Sequence, residues 1–229
     1  MSKFVFARAM TIVVAAGICA GAAGQSANFD MDTEGFQGPS FASGGITFFD
    51  SNNVSGFYPD GQPFTPETLG TDLIVEDSTV AVGDFAEYLS APNTLTFGNA
   101  YIPGSNLSLG ALATVSMTAG VVRTNATFDI LYYENGPWGG IEVRLEALRN
   151  GAVVASNSFI VPGSDGRDNP AAQHMAIGGV EFDTLRLSSH LNGDYTTLRA
   201  VIDNVVMVPA PGTAGLLAMA GLVAARRKR

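Results

Sequence analysis

The chain has 229 residues, with 21 acids against 12 bases and one cysteine. Lys3 and Arg8 stand near its start and Arg226, Arg227, Lys228 and Arg229 at its end, so residues 25–207 hold six arginines against all 21 acids, a net charge of −15. Such a charge excludes nucleic acid and anionic membrane surfaces as partners. The lone cysteine, Cys19, leaves nothing to form a disulfide, so a core must hold the fold, and roughly 180 residues suffice for one.

Residues 1–24 read as a secretory signal peptide. Lys3 and Arg8 give a positive start, Ala9 to Ala20 an apolar stretch, and Gly21 to Gly24 a run of small residues with Ala22 and Gly24 at the positions read by signal peptidase. The reading implies passage through the Sec translocon and cleavage after Gly24, with Ala23 the alternative. Cys19 follows Ile18, a bulky neighbour for a lipidation site, and belongs to the discarded stretch.

From residue 25 to 207 the chain reads as short strands rich in Val, Ile, Thr, Phe and Tyr, broken by Gly, Asn, Asp and Pro. Strands are expected at 45–49, 73–82, 94–97, 107–117, 126–133, 141–147, 153–161, 180–187 and 198–208. Ile141, Val143, Leu145 and Ala147 alternate with Glu142, Arg144 and Glu146, the clearest period of two. Asn150-Gly151 follows as a hairpin turn. The strand at 198–208 is apolar on both faces, which predicts a central place in its sheet. Residues 50–70 and 162–173 read as long loops, the kind of segment that carries binding function. No stretch holds a sustained 3.6-residue period. The expected fold is all-β, a single jelly-roll-like β-sandwich.

Candidate sites are few. There is no mature cysteine, no G-x-S-x-G elbow and no H-E-x-x-H, and the two histidines, His174 and His190, make a poor zinc site. Glu142 and Glu146 share a strand face, but no carboxylate spacing stands out for glycoside hydrolysis. Asp165, Asp168 and Asn169 form an Asp/Asn/Gly loop whose oxygens could ligate calcium, and Asp50-Ser51-Asn52-Asn53 is similar; neither completes an EF-hand loop, and both compositions also form turns. Asp203 lies in an apolar strand and needs a partner if buried. Trp138, the only tryptophan, precedes the best strand, either as a stacking platform for a sugar or as an anchor on the core. No cofactor is required.

The last 22 residues, Val208 to Arg229, place Pro209 and Pro211 before an apolar run from Thr213 to Ala225 and a basic end, Arg226 to Arg229. Thirteen apolar residues are short for a span of about 20, which suits a transient anchor with its cations on the cytoplasmic side. The segment resembles the PEP-CTERM sorting signal of Gram-negative bacteria, with Ala210 where that family usually has Glu. The resemblance implies a short transmembrane sorting helix at 212–225 and recognition and cleavage by an exosortase-type enzyme. It also implies delivery to the cell surface, outer membrane or extracellular matrix. F-D-T-L-R-L at 182–187 and I-D-N-V at 202–205 resemble the ends of exported jelly-roll domains that carry this tail, some of which resemble carbohydrate-binding modules. The sequence thus predicts a non-catalytic exported protein, structural or adhesive. A module that binds exopolysaccharide is the alternative, and a glycoside hydrolase a distant one.

Overall fold

Ile141, Val143, Leu145 and Ala147 are all fully buried, and the charged residues between them remain half-buried at a surface. The period of two is therefore an inside–outside alternation. The computed structural model describes residues 24–82, 87–98, 110–134, 139–163 and 169–210, all within one unit, Ala23–Ala210. The side chains of Val80, Val82, Glu134, Asn169 and Pro170 are outside the description.

The elements in chain order are β1 (Gln25–Ala27), β2 (Gly35–Gly38), β3 (Ser40–Ser43), β4 (Ile46–Phe49), β5 (Gly56–Phe57) and β6 (Pro63–Phe64), then α1 (Pro66–Leu69), β7 (Leu73–Asp77), α2 (Ser78–Val82), β8 (Asn93–Phe97) and β9 (Ala111–Leu112). They continue with β10 (Thr114–Glu134), β11 (Glu142–Arg149), β12 (Ala152–Ile160), β13 (Asn169–Leu191), β14 (Asp194–Tyr195) and β15 (Leu198–Pro209). No helix among the described residues is long and apolar enough to cross a membrane.

Two long strands organise the rest. β10, of 21 residues, and β13, of 23, pair antiparallel along most of their length. The register shifts between Thr118 and Arg123 and again between Arg123 and Asn125. Gly120 (φ 70°) and Gly179 (φ 77°) sit at this break, where a side chain would be strained. Irregularities of this kind bend strands and let them pass from one sheet to the other. Arg123, on which both shifts turn, is buried and donates from Nη2 to Gln25 Oε1.

The halves of β10 and β13 on either side of the break have different neighbours. The first half of β10 lies between β4 and the second half of β13, giving a layer ordered β12-β11-β13-β10-β4-β3. The second half of β10 lies between the first half of β13 and β15, giving β13-β10-β15-β8-β7-β2. Val115, Val143 and Leu187 of the first layer share one apolar cluster with Leu95, Phe128 and Ile202 of the second. The architecture is a β-sandwich, with hydrogen bonding continuous through the shared strands.

Several expected boundaries shift for local reasons. The strands expected at 107–117 and 126–133 belong, where described, to β9 and the single bent β10. The strand expected at 73–82 stops at Asp77, whose Oδ1 accepts the Thr79 N–H (2.8 Å) as α2 begins. The expected loop at 50–70 contains β5, β6 and α1, and the one at 162–173 gives way to β13 at Asn169. At Asn150 (φ 50°) and Gly151 (φ 79°) the expected turn forms. β15 has the expected central place, between β10 and β8. It runs past residue 207: Val208 pairs with Asn125 and Pro209 with Arg123, and the Ala210 N–H donates to the Val122 carbonyl (3.3 Å). A proline closes a strand there without costing a ladder bond.

Candidate functional site

The hairpin β5–β6 and the turn between β13 and β14 meet at one end of the sandwich. Asn192 (φ 55°) and Gly193 (φ 95°) turn the chain so that Tyr195 pairs with His190 and Asp194 with Leu191. The opposing hairpin is pinned there by Thr196 Oγ1, which donates to the Phe57 carbonyl (2.8 Å). Gly56 allows the approach, because a Cβ there would fall 2.2 Å from the Tyr195 carbonyl oxygen. Its tip is closed by bonds from Tyr58 N–H to the Gln62 carbonyl (2.7 Å) and from Gly61 N–H to the Tyr58 carbonyl (2.8 Å), with Asp60 Oδ1 accepting the Gln62 N–H (3.0 Å). A small apolar cluster of Phe64, Leu69 and Ala113, with Tyr58 and Tyr195 against it, holds the hairpin from below.

Two depressions result, of about 230 Å³ and 510 Å³, and both are lined by Phe57, Asp194 and Tyr195. The first adds Tyr58, Asn192 and Thr196; the second adds Phe64 and Thr65. Phe57 is 47% exposed, a large apolar ring at the surface. Tyr58 is held edge-on against Phe64 with ring centres 5.4 Å apart. Tyr195 lies against the His190 ring, centres 4.7 Å apart. Burial, and after it the nearby Arg144, holds His190 below the usual imidazole range, so a neutral ring backs the tyrosine. Among the described residues Asp194 is the one charged residue on the walls of either depression. The groove offers apolar ring faces beside carboxylate, amide and hydroxyl groups.

The residues singled out from sequence fall elsewhere. Trp138, Asp165 and Asp168, as well as Pro211, Arg226, Arg227, Lys228 and Arg229, lie outside the described residues. So does the expected helix at 212–225. Asn169 opens β13 opposite Glu134. Among the described residues no three of His, Cys, Asp and Glu gather as a metal site. In the stretch Asp50 to Asn53, Asn52 is a buried peg. Its Nδ2 donates to the Ala111 carbonyl (2.8 Å) and its Oδ1 accepts the Ala113 N–H (2.8 Å), so its amide serves the backbone rather than an ion.

Glu142 is held by Arg144 (2.6 Å) and Glu146 by Arg186 (2.7 Å), so each carboxylate of that face has its own cation. His174 Nδ1 lies 2.8 Å from Asp129 Oδ1, and Asp129 Oδ2 accepts from Asn204 Nδ2 (3.0 Å). Asp203 is fully buried. Its partners are the Ser90 N–H (2.6 Å), the Ser90 hydroxyl (2.8 Å) and the Asn204 N–H (2.7 Å). Burial outweighs these bonds and pushes its carboxyl up to about 6. Phe57, Tyr58, Asp194 and Tyr195 escape a reading of motifs, yet Asn192-Gly193 just before Asp194 and Tyr195 carries the same turn signal as Asn150-Gly151.

No protein-family model matches the chain, and no curated protein does. Among solved structures it is similar to the K2 cleaved adhesin domain of Lys-gingipain, with 10% identity over 83% of this chain and 100% of that one, at a TM-score of 0.46. The K1 cleaved adhesin domain of the Porphyromonas gingivalis W83 protein follows at 7% identity over 82% and 99%, TM-score 0.41. The carbohydrate-binding module TmCBM61 in complex with beta-1,4-galactotriose is similar at 10% identity over 60% and 82%, TM-score 0.31.

Proposed function

We propose that this is an exported, non-catalytic surface or matrix protein whose sandwich binds carbohydrate at the Phe57–Tyr195 groove. The observation that carries the reading is the exposed Phe57 ring beside Tyr195, Asp194 and Asn192. A pyranose presents an apolar C–H face and a rim of hydroxyls. The first suits an aromatic ring, and the second suits carboxylate and amide oxygens that accept hydrogen bonds. Among the described residues no base lines the groove, so it favours neutral sugars over uronates or sulfated glycans. The arginine partners of Glu142 and Glu146 argue against a hydrolytic carboxylate pair on that face.

Export rests on the two chain ends. Residues 1–24 supply the leader and Val208 to Arg229 the resemblance to an exosortase-processed tail. The structural or adhesive role follows if the sugar bound is matrix exopolysaccharide. Two experiments test the reading. A glycan array probed with the purified protein should retain neutral oligosaccharides, and silence across the array sinks the groove assignment. Mass spectrometry of surface material should find a chain lacking both ends. An intact tail on surface protein would remove the sorting assignment and leave the groove untouched.

A further inference from the structure

β12 is a free sheet edge of unusual openness. Its nine residues, A-V-V-A-S-N-S-F-I, contain no charge, no proline and no glycine. Seven of the nine are exposed, among them Val153 (49%), Val154 (43%) and Ile160 (59%). Among the described residues it pairs with β11 alone, so its other side presents a row of ladder N–H and C=O groups.

The remaining edges are blunted in the ways sheets usually are. β2 has four residues and positive φ at Gly35 and Gly38. β3 also has four. The first half of β13 carries Pro170 and His174, and Asn157 Nδ2 reaches across to its Ala176 carbonyl (2.9 Å). β12 bears no charge and no proline, although its neighbour β11 carries Glu142, Arg144, Glu146 and Arg149. Its one irregularity is a bulge at Val154, between Val153 and Ala155, and from Ala155 to Ile160 its register with β11 is unbroken.

We propose that β12 pairs antiparallel with β12 of a second copy of this chain, joining two sandwiches edge to edge. The backbone groups call for an extended strand as the partner, and the charge pattern selects the same strand. A two-fold pairing sets each residue against one of the same segment, so any charge would meet its own kind nearby. In a domain with 21 acids, β12 is a nine-residue stretch where self-pairing meets no charge. Centred on Ser156, the pairing sets Ala155 against Asn157 in the regular part of the strand. The net −15 of residues 25–207 in each copy opposes approach, so the contact tightens as salt screens it.

Sedimentation velocity of the purified full chain over a wide concentration range tests this. The expected result is a monomer–dimer equilibrium that shifts toward dimer with added sodium chloride. Ser156→Lys puts one lysine opposite its own copy at an exposed position while lowering the net charge, so it should weaken association about tenfold with an unchanged melting midpoint. In a Cys19→Ser background, Ser156→Cys should give a disulfide-linked dimer on mild oxidation, since paired Cα atoms in an antiparallel ladder lie about 4.5–5.5 Å apart, within disulfide reach. A monomer at every concentration overturns the proposal. So does a dimer that salt weakens, or one indifferent to Ser156→Lys.

Discussion

On the outer face of the first layer, Glu142, Arg144, Glu146 and Arg186 stand as partly exposed ion pairs. On the outer face of the second layer, Leu131 and Val201 are fully buried against Ala81, with Leu89 and Tyr133 beside them, and Asp203 is buried under Ser90. The same kind of strand thus has one solvated face in the first layer and two covered faces in the second. The cover, among the described residues, is Ala81 of α2 with Leu89 and Ser90. It explains why β15 is apolar on both sides while β11 alternates from Glu142 to Ala147. It also explains why Asp203 needs three donors: the chain that dries Val201 removes water from its neighbour.

If this difference is real, equivalent substitutions on the two faces should differ severalfold. Leu131→Ala opens a cavity under α2 and should cost about 2–5 kcal/mol by urea unfolding. Glu146→Gln, on the open face, should cost less than about 1 kcal/mol, because partly exposed pairs contribute little. Similar losses at the two sites would mean that α2 and residues 87–92 do not cover the second layer.

Ser90→Ala removes the hydroxyl that donates to Asp203 and should cost about 1–3 kcal/mol, more at pH 8 than at pH 4.5. The pH dependence sharpens the contrast further. Asp203 has a carboxyl raised to about 6 in the folded state from 3.8. The folded chain therefore binds this proton more tightly than the unfolded one. The group's contribution to stability is complete below about pH 4, falls as pH rises toward 6, and is flat above. Asp183 is lowered, first by the Asn150 N–H, and Glu142 by Arg144, so their contributions run the other way and are lost as pH falls through their folded values. The contribution of His190, held below its usual range, is also lost as pH falls over the same window. The Asp203 gain, on the order of 1–2 kcal/mol between pH 7.5 and 5, is therefore read as the difference between wild type and Asp203→Asn in unfolding experiments. Asp203→Asn should remove that gain, whatever its absolute stability. A slope unchanged in the variant would assign the effect to other groups.

The smallest expected effect concerns calcium and Asp165, Asp168 and Asn169. Melting midpoints in millimolar calcium and in sodium chloride of matched ionic strength should coincide, both raised over low salt as the domain's negative charge is screened. An excess in calcium that Asp168→Ala abolished would place an ion at that loop.

What could be read from sequence follows from the range of the signal. Period-two alternation and Asn-Gly turns are local, so β11, β12, the turn at Asn150 and the apolar β15 were legible. The union of separate segments into β10, and the extension of the strand expected at 180–187 back to Asn169 in β13, depend on pairing between residues far apart in sequence. No window over Gly120 reveals that its break bends a strand instead of ending it. The groove at Phe57 and Tyr195 was half legible. Residues 50–70 stood out as a long loop, but not the hairpin inside it, whose hold depends on Gly56 meeting Tyr195 from the far side of the chain. Asn52 misled for the same reason: its composition signals a turn, and only the fold shows its amide consumed by Ala111 and Ala113.

The central claim is that the Phe57 ring is a sugar platform. The most direct test titrates the best-retained neutral oligosaccharide calorimetrically against wild type, Phe57→Ala and Phe36→Ala. Phe36 serves as the control because it is also a half-exposed phenylalanine, 52% against 47%, but does not line the groove. Phe57→Ala should weaken binding about tenfold without changing the melting midpoint, while Phe36→Ala binds as wild type does. Equal affinity in all three proteins would contradict the account.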